Sequence, residues 1–137
     1  MSREDHWENR QVGPHAHSAH FWKDRVFIPD LGENVVFQYR YSPENLLKQE
    51  AVIPLEKGSG PRHMVVHKEL NIAYVSNELK SSVVVAKLDD SDLEIDKARF
   101  EPIQYISTIP KSFKQKNYVS EVKISKDERF LYVSNRG

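Results

Sequence analysis

The sequence predicts an all-β fold assembled from repeated units of four short strands, and three observations support this prediction. Short runs of β-branched and aromatic residues alternate with polar turn residues along most of the chain. The motif Tyr74–Asn77 matches Phe27–Asp30 at a shift of 47 residues and Tyr132–Asn135 at a shift of 58. No segment keeps a helical periodicity of 3.6 residues for longer than a turn or two. Self-similarity at such a period is typical of a repeat architecture.

The first unit, residues 13–57, contains four predicted strands. They lie at about His15–His20, Arg25–Pro29, Val35–Tyr41 and Glu50–Leu55. The segments 30–34 and 42–45 carry the Asp, Asn, Gly and Pro residues that favour turns. Residues 1–12 are polar and lack periodicity, so we interpret them as a tail or as the remnant of a preceding unit.

The second unit, residues 58–112, repeats this order of strands. They are predicted at Arg62–His67, Asn71–Ser76, Ser82–Leu88 and Gln104–Ile109. The acidic, polar connection Asp89–Pro102 is expected to be a surface loop. The third unit, residues 113–137, contains only the predicted strands Val119–Ser125 and Arg129–Ser134.

Four antiparallel strands in each unit favour the blades of a β-propeller, with a β-sandwich as the alternative. A propeller closes its ring with about four to eight blades, and this chain contains about two and a half. We therefore expect a segment of a larger propeller. Its open ends would expose apolar faces and unpaired strand edges, so we expect the isolated chain to aggregate or to stay partly unfolded.

The composition restricts the classes of function. The chain is 39% hydrophobic and 29% charged, as in ordinary folded domains. Its 20 basic and 20 acidic residues cancel, so no basic field attracts nucleic acid or an anionic membrane. Cysteine is absent, which excludes thiolate chemistry, and no window approaches the roughly 18 apolar residues of a membrane span. We expect a cytoplasmic protein that needs no cofactor.

The hairpin at the start of each unit is predicted to collect polar residues at one end. Four-residue loops at 21–24, 68–71 and 126–129 would place His15 opposite Asp30, Arg62 opposite Asn77, and Ser120 opposite Asn135. The polar positions at this end are His15, Arg62, His63, Glu78, Glu121 and Arg136. In a propeller this end opens on the central channel. A concave mouth with Arg, Glu and His suits a small anionic molecule, because Arg forms bidentate contacts and Glu or His moves protons.

Two other interpretations apply to the same residues. The pairs Arg62–Glu78 and Glu121–Arg136 could be structural ion pairs that tie strand ends together. The histidines of His15-Ala-His17-Ser-Ala-His20 are spaced like metal ligands, but strand alternation places His15 and His17 on one face and His20 on the other. We therefore expect no metal site here.

Several motifs, in order, resemble those of the seven-bladed β-propeller lactonase family, which includes 6-phosphogluconolactonases and carboxymuconate-lactonising enzymes. They are Gly13-Pro-His-Ala-His-Ser18, Asp30-Leu-Gly32, Gly60-Pro-Arg-His63, Asn77-Glu-Leu79, Ser120-Glu-Val122 and Phe130-Leu-Tyr-Val-Ser-Asn-Arg-Gly137. The resemblance spans about residues 12–137 and implies an active-site set of His15 or His17, Arg62, Glu78 and Arg136. We expect His63, Asn77 and Glu121 to contact the substrate beside them.

The resemblance implies a hydrolase that opens a sugar-acid lactone such as 6-phosphogluconolactone, monomeric at full length. In this hypothesis Arg62 and Arg136 hold the anion or the carbonyl oxygen, and Glu78 activates water. His15 or His17 would then return a proton to the leaving oxygen. The alternatives are a carboxymuconate-lactonising enzyme and a propeller that binds a ligand or a protein without catalysis.

Overall fold

The computed structural model describes residues 10–91 and 97–137. All regular structure in these two ranges is β-strand, so no helix there is long and apolar enough to cross a membrane. The strands are β1 (His20–Trp22), β2 (Arg25–Asp30), β3 (Val35–Ser42), β4 (Leu46–Pro54), β5 (Pro61–His67), β6 (Ile72–Asn77), β7 (Ser82–Leu88), β8 (Phe100–Ser107), β9 (Tyr118–Ile124) and β10 (Leu131–Arg136).

The ten strands form three antiparallel sheets in which each strand pairs with its neighbour in sequence. The sheets are β1-β2-β3-β4, β5-β6-β7-β8 and the hairpin β9-β10. Connections of a few residues join most strands, as expected for up-and-down blades. The predicted all-β segment, with two four-stranded units followed by a third hairpin, is confirmed.

Three predicted strand boundaries are wrong. Residues 15–19 are not a regular strand, and β1 begins only at His20. Strand β4 begins at Leu46 rather than Glu50, and β8 begins at Phe100 rather than Gln104. Phe100 pairs with Leu88 and its ring lies 6.0 Å from that of Phe27, so burial of this aromatic extends the strand into the expected loop.

The first two sheets pack against one another around a shared core. From the first sheet the core takes Trp22, Phe27, Val36 and Ile53, and from the second Met64, Val66, Ala73, Val75, Val84, Ala86, Leu88 and Phe100. Gln38 crosses this boundary as a buried polar link. Its amide donates to Glu50 at 2.7 Å and to the Lys97 carbonyl at 3.0 Å, and its oxygen accepts the Arg99 N–H at 2.6 Å. The blades are therefore joined by both apolar and polar contacts.

A β-bulge interrupts the first hairpin of the second and third sheets at the same position. Arg62 and His63 lie together opposite Ser76, because Pro61 pairs with Asn77 while Met64 pairs with Val75. Ser120 and Glu121 likewise lie opposite Ser134. In both bulges the serine hydroxyl accepts the backbone N–H of the second bulged residue, at 3.1 Å from His63 and 3.0 Å from Glu121.

Because of these bulges, the strand pairing differs by one residue from the predicted register. Asn77 faces Pro61 rather than Arg62, and Asn135 faces Val119 rather than Ser120. In the first hairpin Asp30 faces Ala16 rather than His15. The predicted loop 21–24 is also wrong, since Trp22 pairs with Arg25 around a two-residue turn in which Lys23 has a φ of 54°.

Candidate active site

The polar mouth lies where the first strands of the three sheets begin, since β5 packs against both β9 and the first hairpin. We define the mouth by Arg10, His15, His17, Arg62, His63, Glu78, Glu121 and Arg136. These residues come from five separate stretches of the chain. The antiparallel hairpins bring them together because strand starts and partner-strand ends share one edge.

Glu78 is the centre of the mouth and has no exposed surface. It follows β6 directly, where its N–H donates to the Gly60 carbonyl at 2.8 Å and its carbonyl accepts the Val119 N–H at 3.3 Å. Three arginines surround its carboxylate. Arg10 and Arg136 contact Oε1, the latter at 3.1 Å, and Nε of Arg62 lies 2.9 Å from Oε2. Each carboxylate oxygen thus lies within ion-pair distance of a guanidinium group, although the Arg62 Nε–Oε2 contact lacks the geometry of a hydrogen bond.

Arg10 is a member of the cluster that the sequence did not predict. It falls within the segment interpreted as a tail or a remnant, of which only residues 10–12 are described. Gln11 fixes this segment against the first sheet, because its amide donates to the Leu31 carbonyl and to Asn34 Oδ1, both at 2.8 Å. No repeat or periodicity marks Arg10, so no sequence signal could have identified it.

Arg62 links all three blades through its backbone and side chain. Nη1 donates to the Ser120 carbonyl in the third sheet, and the Arg62 carbonyl accepts the Ser18 hydroxyl at 2.8 Å. Its side chain is only 15% exposed, whereas that of Arg136 is 51% exposed. The cluster therefore presents one guanidinium that is held firmly and one that is open to solvent.

His63 and Glu121 meet across the boundary between the second and third sheets. His63 Nδ1 lies 2.8 Å from Glu121 Oε1, and that oxygen also accepts the Val122 N–H at 2.9 Å. Burial raises the pKa of the Glu121 carboxyl, but the hydrogen bonds from His63 and from the Val122 N–H outweigh it, and the net pKa is lowered. Glu121 is therefore ionised at neutral pH.

His17 lies beside this pair, with its ring centre 5.3 Å from that of His63 and 6.1 Å from that of His15. Burial, followed by the positive charge of Arg62, lowers its pKa. Within the described ranges its Nδ1 is buried without a hydrogen-bond partner. His17 is thus a half-buried, neutral imidazole at neutral pH, whereas His15 is exposed.

The sequence profile of the family described as “Lactonase, 7-bladed beta-propeller” matches residues 2–137. The chain belongs to this lactonase family. The 6-phosphogluconolactonase of Bacillus subtilis is 32% identical to it over 130 residues, which are 93% of this chain and 36% of that protein. A protein of Lactococcus lactis is 36% identical over 128 residues, again 93% of this chain and 36% of the relative.

Solved structures give the same result. The periplasmic gluconolactonase of Pseudomonas aeruginosa superposes with a TM-score of 0.83 at 34% identity, over 93% of this chain and 35% of that chain. A Lactobacillus plantarum protein matches with the same TM-score and identity, over 93% of this chain and 36% of that one. This lactonase-family chain therefore spans about 36% of the length of its relatives. The predicted resemblance and the β-propeller fold are confirmed.

The structure brings together most of the residues that the lactonase resemblance singled out. Asn77 stands apart, because it is buried and its amide donates to Ser82 Oγ at 3.1 Å within the second sheet. Of the two expected ion pairs, Arg62–Glu78 is present. The expected Glu121–Arg136 pair is wrong, since Arg136 turns to Glu78 while Glu121 pairs with His63.

The site offers neither a metal centre nor an activated serine within the part of the chain that the structure describes. No group of three or more His, Asp or Glu side chains there is arranged to hold a metal ion. His20 lies at the start of β1, where it lines a cavity with Trp22 and Val66 that includes no residue of the mouth. The Ser18 hydroxyl donates to the Arg62 carbonyl and is not aligned with a base.

Proposed function

We propose that the whole protein is a hydrolase that opens a sugar-acid lactone by attack of water, with 6-phosphogluconolactone as the leading substrate. The observation that carries the proposal is the cluster of arginines and histidines around buried Glu78, in a chain of the lactonase family. The matching relatives include one named 6-phosphogluconolactonase and one named gluconolactonase. A lactone of a sugar acid is therefore the substrate class that fits best.

The arginines supply the anion-binding part of this mechanism. In this proposal Arg62 stabilises the oxyanion that forms when water attacks the carbonyl, and Arg136, whose side chain is more exposed, binds a phosphate or carboxylate group. Glu78 holds both guanidinium groups and has no solvent-facing oxygen. These contacts support a positioning role for Glu78, rather than the water-activating role that the sequence suggested.

His17 is the best-placed group to accept the proton of the attacking water. It is neutral at physiological pH, and its ring centre lies 5.3 Å from that of His63 within the mouth. As the water oxygen bonds to the carbonyl carbon, its proton passes to His17 and the carbonyl electrons move to the oxyanion. The oxyanion then collapses, the bond to the ring oxygen breaks, and that oxygen takes up a proton. The product is the open hydroxy acid.

The test is lactone opening by the whole protein, followed as proton release in weak buffer. Arg62→Lys should lower kcat and Arg136→Lys should raise KM, each by roughly ten- to a hundredfold, because loss of a charge-assisted hydrogen bond costs about 1.5–3 kcal/mol. Arg129→Lys is the matched control, since Arg129 is an exposed turn residue that contacts the Phe130 ring. Ligand binding without turnover would favour a binding module, and cyclisation of carboxymuconate would favour the lactonising alternative.

A further inference from the structure

Two of the three arginines around Glu78 contact the same atom of its carboxylate. Arg10 contacts Oε1 through Nη1, and Arg136 contacts Oε1 through Nη2 at 3.1 Å. The two guanidinium groups therefore lie close together, although they come from distant parts of the chain. Their side chains are 37% and 51% exposed, whereas that of Arg62 is 15% exposed. Arg10 and Arg136 thus form the solvent-facing part of the cluster.

The main chain beside Arg10 is fixed by polar contacts to loops of both four-stranded sheets. The Gln11 amide donates to Asn34 Oδ1 at 2.8 Å, and the same oxygen accepts the Gly60 N–H at 3.1 Å. Gln11 also donates to the Leu31 carbonyl at 2.8 Å. The backbone that carries Arg10 is therefore held in place before a ligand binds, which reduces the entropy cost of binding.

The charges of the mouth do not balance on their own. Glu78 is one carboxylate among three guanidinium groups, and Glu121, the other carboxylate, is paired with His63. Leaving the histidines aside, three positive charges face two negative ones, and loss of Arg10 would make the sum zero. A phosphate monoester carries about 1.5 to 2 negative charges at pH 7 and three strong acceptor oxygens. Such a group can accept hydrogen bonds from two neighbouring guanidinium groups at once.

We propose that Arg10 and Arg136 together bind the phosphate group of a phosphorylated sugar-acid lactone, and that Arg10 determines the preference for this substrate. The inference rests on the proposed function. Arg62, the more buried arginine, stays with the carbonyl oxygen of the lactone. An unphosphorylated lactone has a neutral hydroxyl where the phosphorylated one has its phosphate, so it gains little from a second guanidinium.

Steady-state kinetics of the whole protein on 6-phosphogluconolactone and gluconolactone test this role. Arg10→Gln should raise KM for 6-phosphogluconolactone by roughly ten- to a hundredfold and leave KM for gluconolactone nearly unchanged. Arg10→Lys keeps the charge but loses the planar fork, so it should give an intermediate KM. Arg129→Gln is the control, because it removes an exposed arginine at the turn of the β9-β10 hairpin, away from the mouth. It should leave the ratio of the two KM values unchanged.

The two substrates separate phosphate binding from a structural role of Arg10. If Arg10 only supported Glu78 and its partners, Arg10→Gln would disturb the whole cluster and weaken the use of both lactones alike. Equal changes in the two KM values would therefore overturn the inference, even though the proposed function would stand. An unchanged KM for 6-phosphogluconolactone would overturn it as well.

Binding of the reaction products gives a second readout, which does not depend on turnover. Calorimetry should show that the wild type binds 6-phosphogluconate at least about tenfold more tightly than gluconate, and that Arg10→Gln removes most of this difference. A wild type that binds both acids equally would overturn the inference. If the wild type shows the difference but opens neither lactone, the proposed function fails while the phosphate-binding role of Arg10 is supported.

Discussion

Glu78 combines complete burial with contacts to three cationic side chains. A buried carboxylate loses its hydration, and this loss is offset only while its partners stay in place. The same holds for the guanidinium groups that surround it. Glu78 is therefore expected to affect the stability of the fold as much as the shape of the site.

The first prediction is that Glu78→Gln destabilises the protein by about 3–5 kcal/mol, because it leaves the arginine cluster without its counter-charge. Urea unfolding of the variant and the wild type measures the difference. The matched control is Glu56→Gln, since Glu56 forms an exposed pair with Lys80 at 3.0 Å. That change should cost less than about 1 kcal/mol. A Glu78→Gln protein with normal stability and no turnover would instead support Glu78 as the general base.

The second prediction concerns His17, whose pKa lies below the usual 6.5 because of burial and Arg62. As the pH falls through 6.5, the unfolded chain takes up a proton that the folded chain resists, so stability is lost toward acid. His17→Gln should reduce this loss by at most about 1.4 kcal/mol per pH unit. Denaturant unfolding at pH 7.5 and 5.5 measures this loss of stability.

His20, whose pKa burial also lowers, retains its own contribution in this variant. His15→Gln, at an exposed ring, is the control. Equal pH dependence in wild type and His17→Gln would contradict the prediction.

The residue types at the mouth could largely be predicted from the sequence, and their partners could not. Arg62, His63 and Glu121 stood out because they interrupt apolar strand patterns. The observed pairs, Arg136 with Glu78 and Glu121 with His63, depend on the direction in which the side chains point. Arg10 reaches the cluster from a segment without periodicity, so only the folded chain reveals it.

The strands and hairpins, like the site, could be predicted only in part from the sequence. Hydrophobic alternation predicted β2, β3, β6 and β7 closely, because both strands and turns leave a pattern there. It missed the irregular residues 15–19, which join β2 through one isolated bridge, two backbone hydrogen bonds and a side-chain contact rather than through a regular ladder. The His15 N–H donates to both carboxylate oxygens of Asp30 at 2.9 Å, and Asp30 also accepts the Glu33 N–H.

The third prediction uses two glycines in equivalent Gly-Pro motifs. Gly60 has a φ of +61°, and a Cβ there would lie 2.5 Å from Cγ of Leu79. Gly60→Ala should therefore destabilise the fold by about 1–3 kcal/mol. Gly13→Ala is the control, because a Cβ at Gly13 would meet nothing within 4 Å. Thermal melting of both variants measures the difference in stability. Equal melting temperatures would show that the fold does not require glycine at position 60.

Across the whole molecule, protection from solvent is unequal between the sheets. Strands β6 and β7 at the centre of the second sheet are almost fully buried. In contrast, β10 has one hydrogen-bonded neighbour within the described ranges, and Tyr132 on it is 60% exposed. The free energy of local opening is lowest where few buried contacts hold a strand.

The fourth prediction is that amides of β10 in the 137-residue chain exchange hydrogen fastest among the strands, and amides of β6 and β7 slowest. Exchange followed by mass spectrometry, with sedimentation to detect association, measures this order. Strands β2 and β3 of the first sheet serve as an internal reference. Uniform protection across all ten strands would contradict the prediction, and would also contradict the expectation that the isolated chain is partly unfolded.

The serine hydroxyls of Ser76 and Ser134 hold each bulge through the main chain alone. The side chain at the second bulged position does not take part in that bond, so the backbone accepts histidine in one blade and glutamate in the next. The side chain at this position can therefore be changed in either blade while the bulge keeps its backbone shape. A different functional group could be introduced there in each blade without a change to the hydrogen bonds that hold the bulge.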